Sequence, residues 1–130
     1  MAYLGRKSSH YSTLLFTARL TLAIGVCFAW LAVLAGELAA SVVEKTLCKP
    51  GILEDHSTLA YTASILFTAG LILDCSRSWI KRSGLRKLLI WASSLLLALA
   101  VVLLIGTAFF GGKLVYEQGA AVENGCSQPS

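Results

Sequence analysis

Three long apolar runs dominate the pattern of hydrophobic and polar positions, and short charged clusters separate them. They cover residues 20–43, 58–80 and 88–110, and the last is 23 consecutive apolar or small residues. Each exceeds the roughly 20 residues that carry a helix across about 30 Å of hydrocarbon at about 1.5 Å per residue. Lone apolar strands would leave their backbone groups unpaired in lipid, so the runs predict helices rather than a sheet. The expected fold is all-α, an integral membrane protein with three transmembrane helices.

The remaining segments are short. Residues 1–19 read as a basic tail and helix entry, 44–57 as an outer loop, 81–87 as a basic inner loop and 111–130 as an outer C-terminal tail. Pro50-Gly51 punctuates the outer loop, and Asp55 or Ser57 is placed to cap the second helix. Ser83-Gly84 is placed to turn a hairpin of the second and third helices. Gly111-Gly112 is placed to end the third.

Composition agrees with burial in lipid. The chain has 130 residues, of which 56% are hydrophobic and 14% charged. A soluble domain carries roughly 25% charged residues, so too few are present here to coat a water-facing surface. The net charge of +4 raises the question of nucleic acid, but the basic residues flank the apolar runs. Topology and phospholipid headgroups account for them, and neither a nucleic-acid partner nor a soluble substrate is expected.

The distribution of charge sets an orientation. Arg6, Lys7 and Arg19 precede or enter the first run, and Arg77, Lys81, Arg82, Arg86 and Lys87 lie around the turn between the second and third. The other side holds Lys45, Lys49 and Lys113 among Glu44, Glu54, Asp55, Glu117 and Glu123. Eight Lys/Arg against three predict the N-terminus inside and the C-terminus outside. In a bacterium this is the inner membrane with the tail in the periplasm. Arg6-Lys7, an apolar run and Leu38-Ala39-Ala40-Ser41 imitate a signal peptide. The run is too long and Glu37 sits at the supposed cleavage end, so an uncleaved anchor is expected.

Aromatic residues follow the same frame. Tyr11, Phe16, Trp79 and Trp91 fall near the inner boundary, and Tyr61, Phe109, Phe110 and Tyr116 near the outer one. Trp30 is the exception, in the middle of the first run, where its indole N–H needs a partner. Gly25, Ala29, Ala32, Gly36 and Ala40 recur every three or four residues on one helix face. Such a face predicts close helix packing in lipid, against this chain or another subunit.

Few residues carry chemistry. Cys48 and Cys126 both fall on the outer side, where a disulfide between them is feasible. The two histidines, His10 and His56, belong to opposite sides, so one haem ligated by both is not expected. His56 reads either as a polar residue at a helix start or as a ligand near the outer surface. Glu37 and Asp74 are ionisable residues inside the runs, functional candidates by default. Interfacial or inter-helix pairing is the plainer role, and Arg77 lies three residues from Asp74 on the same face. Across the centres of the second and third runs only Thr68 is polar, which argues against a pump or channel. No nucleophile–base pair, phosphate loop or acidic metal cluster is present, and no enzyme is expected.

The segment Gly111-Gly112-Lys113-Leu114-Val115-Tyr116-Glu117-Gln118-Gly119 resembles the terminal signature of an uncharacterised bacterial membrane-protein family, catalogued as domain of unknown function 2231. Ala120-Ala121-Val122 continue that pattern. Gly36-Glu37 at the end of the first run and His56-Ser57-Thr58-Leu59-Ala60 at the start of the second are similar to further parts of it. The family's first helix, with a His-Pro…His motif, has no counterpart here, and Gln118 stands where the family has histidine. The resemblance therefore implies a membrane scaffold, with no cofactor expected. The function expected is that of a small accessory subunit of a larger energy-converting complex, respiratory or photosynthetic, with other membrane subunits and lipids as partners. Two alternatives are an electron-transfer protein binding haem b or pigment near His56, and a component of an oligomeric transporter.

Overall fold

A computed structural model describes the backbone of residues 2–43 and 50–117, with side chains over 10–42 and 51–117. It is all-helical: α1 (Ala2–Val43), α2 (Pro50–Ser76) and α3 (Ser83–Tyr116). Within them His10–Val42, Gly51–Ser76 and Ser83–Tyr116 are long and apolar enough to cross a membrane. At about 1.5 Å per residue α1 is about 63 Å long, twice the thickness of a hydrocarbon core.

The helices outrun the apolar runs that predict them. The basic segment expected as a tail over 1–19 is helical from Ala2, because no proline interrupts it and the apolar run propagates a helix in both directions. α2 starts at Pro50 rather than after an outer loop reaching Ser57. Proline suits a first helical position, where its missing N–H has no intrahelical partner to lose. Asp55 and Ser57 consequently lie inside α2, and the Ser57 hydroxyl donates to the Glu54 carbonyl at 3.0 Å instead of capping.

The hairpin turn also lies earlier than Ser83-Gly84. The chain reverses over Arg77–Arg82, where backbone N–H groups of Arg77, Ser78 and Trp79 reach back to Leu73, Cys75 and Ser76 at 3.1–3.2 Å. Arg82, with extended backbone, precedes α3, and Ser83-Gly84 form its first turn. At the far end α3 runs through Gly111-Gly112 and stops at Tyr116, with the Glu117 N–H donating to the Lys113 carbonyl at 2.9 Å. Two helical glycines cost about 1 kcal/mol each relative to alanine. Burial of Leu114 beyond them and the seating of His56 against Gly111 offset that cost.

α2 and α3 form an antiparallel hairpin with a seam of small residues. The buried positions of α3 are Ser93, Ala100, Thr107 and Leu114, spaced by seven. Ala63 and Gly70 of α2 are buried with the same interval, and His56 extends the row. A seven-residue period keeps one stripe of each helix facing its partner, the geometry of left-handed antiparallel packing. Numbers rise on α2 as they fall on α3: His56 meets Thr107 and Gly111, Leu59 meets Gly106, and Gly70 meets Leu97 and Ser93. The buried hydroxyls Ser64, Ser93 and Thr107 donate to carbonyls of their own helices at 2.8–3.1 Å, so the seam holds polar atoms without orphaning them.

α1 packs against α2 more sparsely and is held by polar contacts. The Arg19 Nε donates to Asp74 Oδ2 at 2.7 Å, and Arg19 Nη2 donates to the Asp74 carbonyl at 2.9 Å. Arg77 reaches the other carboxylate oxygen at 3.1 Å. Midway along, the Trp30 indole N–H finds its partner in the Thr68 hydroxyl at 3.1 Å. That hydroxyl in turn donates to the Ser64 carbonyl at 2.7 Å. Trp30 also meets Tyr61 edge to face at 6.3 Å.

Two outcomes follow for stability in detergent micelles. Asp74→Asn leaves two guanidinium groups facing a neutral amide, in a cluster whose side chains are 16–29% exposed. Chemical unfolding should register a loss of about 1–3 kcal/mol, more than for Arg77→Gln, which keeps the inter-helix bond of Arg19. At the seam a Cβ on Gly70 would stand 2.8 Å from Leu97 Cδ2. Gly70→Val should destabilise by about 1–3 kcal/mol, and adding Leu97→Ala should recover part of that loss.

Candidate functional site: a groove between α1 and the hairpin

Among the described residues, the two glycines of the small-residue row on α1 have no close helical neighbour. A Cβ built on Gly25 or Gly36 finds nothing within 4 Å among the described residues. All five members of the row, Gly25, Ala29, Ala32, Gly36 and Ala40, instead line a groove of about 590 Å³ between α1 and the α2–α3 hairpin. Phe67, Val33 and Leu104 give it apolar walls, and one end carries Glu37, His56, Ser57 and Tyr61. The close approach expected of small residues is made at the α2–α3 seam.

His56 is the most constrained polar side chain at the groove. Its Nδ1 lies 2.9 Å from the Thr107 carbonyl oxygen. A carbonyl only accepts, so Nδ1 carries the proton, and in the neutral ring Nε2 is left with a free lone pair. The ring can come this close to α3 because Gly111 has no side chain: a Cβ there would stand 3.1 Å from His56 Cε1 and 3.4 Å from Nδ1. Gly111 of the signature segment thus has a local structural use.

The other groove-lining donors are largely spent. Ser57, Ser64 and Thr107 hydroxyls donate to the carbonyls of Glu54, Ala60 and Leu103. The Tyr61 hydroxyl and the Glu37 carboxyl both border the same end of the groove. The polar end offers the carboxyl of Glu37, Nε2 of His56, the lone pairs of the serine and threonine hydroxyls, and the Tyr61 hydroxyl. No lysine or arginine lines it.

The remaining sequence candidates are distributed elsewhere. Asp74 belongs to the Arg19–Arg77 cluster near the α2–α3 turn, distant from the groove's polar end. Gly112 lies in α3 with open space around it, and Tyr116 is exposed. Lys113 sits over the Phe109 ring at 5.1 Å, and Phe109 meets Phe110 edge to face at 5.8 Å. Cys48, Cys126, Gln118 and Gly119 lie outside the described residues. Cys27 and Cys75 are exposed free thiols. Among the described residues, no three of His, Cys, Asp and Glu come together as a metal site would require.

Sequence reasoning placed Arg19 with the topological charges and missed its pairing with Asp74, 55 residues away. Thr107 and Gly70 carried no local signal. Their seven-residue spacing with Ser93, Ala100 and Ala63 was legible in principle, masked by the many other small residues.

No family model, curated protein or solved structure matches the chain.

The tautomer of His56 is directly measurable. Nitrogen-15 NMR of histidine-labelled protein should report a proton on Nδ1 and a bare Nε2. Gly111→Ala pushes against the ring and should shift both resonances, with Gly112→Ala, where a Cβ meets open space, as the silent control.

Proposed function

We propose that this chain crosses the bacterial inner membrane three times, with its N-terminus inside and its C-terminal tail in the periplasm. There it serves as a small accessory subunit of a larger energy-converting complex, respiratory or photosynthetic. Its role is non-catalytic: it supplies helix surface to neighbouring membrane subunits and to lipids. The orientation rests on eight Lys/Arg against three on the two sides of the apolar runs. The likeness to the family catalogued as domain of unknown function 2231 belongs to the same proposal.

One observation carries the reading. Among the described residues only four apolar side chains are buried, Val33, Ala63, Ala100 and Leu114, and Val33 is the single one on α1. Large apolar residues remain exposed along all three helices, among them Phe16, Phe28, Leu38, Ile72, Trp91 and Phe109. In lipid exposure of this kind is ordinary, but among the described residues nothing lies within 4 Å of a Cβ placed on Gly25 or Gly36 of α1. A helix so thinly held gains most from packing supplied by another subunit.

A second reading, haem b or pigment bound at His56, has one point in its favour. The bond from Nδ1 to the Thr107 carbonyl orients the ring and frees Nε2, the arrangement that prepares an imidazole to ligate. Its weakness is that His10 lies toward the opposite end of the helices, so the chain offers a single histidine there.

Purification in a mild detergent distinguishes these. The accessory-subunit reading expects the chain to elute with other membrane proteins in fixed stoichiometry and above its own mass. Elution alone as a stable monomer overturns it. A Soret band in the same fraction, lost in His56→Ala, supports the second reading.

A further inference from the structure

We infer that the basic turn between α2 and α3 is a docking surface for an anionic phospholipid, one whose phosphodiester is not balanced by an amine in the same headgroup. Such an occupant is met only if the helices cross a membrane, so this rests on that part of the proposed function and not on the orientation or the subunit role. Three features of the turn select it.

The first is uncompensated charge. Arg77, Lys81, Arg82, Arg86 and Lys87 fall within eleven residues. No acidic residue precedes Glu37 in the chain, and none lies between Asp74 and Glu117. Glu37, Glu54 and Asp55 belong to the opposite end, around His56. Among the described residues Asp74 is therefore the single carboxylate beside the turn. Both of its oxygens are already taken, by Arg19 at 2.7 Å and by Arg77 at 3.1 Å. Lys81, Arg82, Arg86 and Lys87 are exposed, and among the described residues none of their side chains makes an ion pair or a hydrogen bond.

The second is placement. Arg82 and Arg86 stand one turn apart at the start of α3, where the Arg86 N–H donates to the Arg82 carbonyl at 3.0 Å. Like charges at this spacing repel, and the start of a helix is its positive end. The first turn of α3 holds no acidic residue to offset either effect. External negative charge relieves both, so charge complementarity calls for an anion. The third is the order of side chains along α3. Lys87, Trp91 and Leu95 follow at four-residue steps on one face: a cation, an indole and an aliphatic chain. Trp91 is 77% exposed and Leu95 72%, and Trp79 in the turn is 89% exposed. A phospholipid presents the same order along its length, as phosphate, ester region and acyl chain. A soluble phosphate matches only the first member, and an acidic protein segment has no acyl chain to lie along Leu95. A zwitterionic headgroup adds its own cation to four that are already unpaired.

The test uses the full-length protein in lipid nanodiscs, with whatever subunits accompany it. The discs hold dioleoylphosphatidylcholine and dioleoylphosphatidylglycerol in equal amounts, and one or the other carries dibrominated acyl chains. Quenching of tryptophan fluorescence then reports the lipid beside Trp79 and Trp91, with Trp30, paired to Thr68, as a common background. The expected result is association with phosphatidylglycerol about five-fold or more stronger than with phosphatidylcholine, the effect of roughly one cation at an anionic surface. The preference should fall towards unity as ionic strength rises to about 1 M, where charges act over only about 3 Å. Arg86→Gln with Lys87→Gln should lower it about two-fold or more. Lys113→Gln, at the opposite end of α3, should leave it unchanged. Equal association of the two lipids overturns the proposal, as does a preference undiminished by Arg86→Gln with Lys87→Gln. A preference abolished by millimolar glycerol 3-phosphate at constant ionic strength overturns the lipid as occupant. Quenching by neither lipid overturns the membrane reading itself.

Discussion

The placement of α1 against the hairpin depends on one carboxylate. Asp74 accepts from Arg19 of α1 with one oxygen and from Arg77 of its own helix with the other, while its backbone carbonyl takes a second bond from Arg19. In surroundings of low polarity an unpaired guanidinium or carboxylate is costly, so each group restricts where the others can be. The bond fixes the position of α1 along α2. From that position Trp30 meets Thr68, and Glu37, Tyr61 and the small residues from Gly25 to Ala40 line one groove with the hairpin. The groove is therefore a product of electrostatic placement rather than of apolar packing.

Two modes of association coexist. α2 and α3 approach through Ala63, Gly70, Ser93 and Ala100, whose short side chains bring the backbones near and let dispersion hold them. α1 meets α2 through long side chains, Arg19 and Trp30, which act as spacers as much as ties. The consequence is a tight pair with a third helix held at a distance, and the volume between them follows from the lengths of those side chains. His56 connects the two modes, because it locks α2 to α3 through Thr107 and also borders the groove.

Helix number and class were legible in the sequence because apolar length alone carries that information. Helix ends were not, and for identifiable reasons. Pro50 and the glycine pair at 111–112 look like breaks in isolation, but proline is favoured at a first helical position and Gly111 accommodates His56. The row from Gly25 to Ala40 was visible as a single face, but its surroundings were not, since a small residue serves equally to admit a helix or to leave space. Trp30 was recognisable as needing a partner, and Thr68 as the lone polar residue at the centre of the second run; only the structure joins them. Asp74 and Arg77 could be paired from their spacing, whereas Arg19 could not, because a partner 55 residues away leaves no local pattern.

That separation has a consequence for how the chain is made. At roughly 5–20 residues per second, Arg19 leaves the ribosome about 3–11 seconds before the carboxylate that will neutralise it. Through that interval the first helix holds an uncompensated cation at the start of its apolar run, which its long stem can keep at a polar boundary. Synthesis of the second helix then delivers Asp74 to it. The polar tie between α1 and α2 can form only once the middle helix has been made.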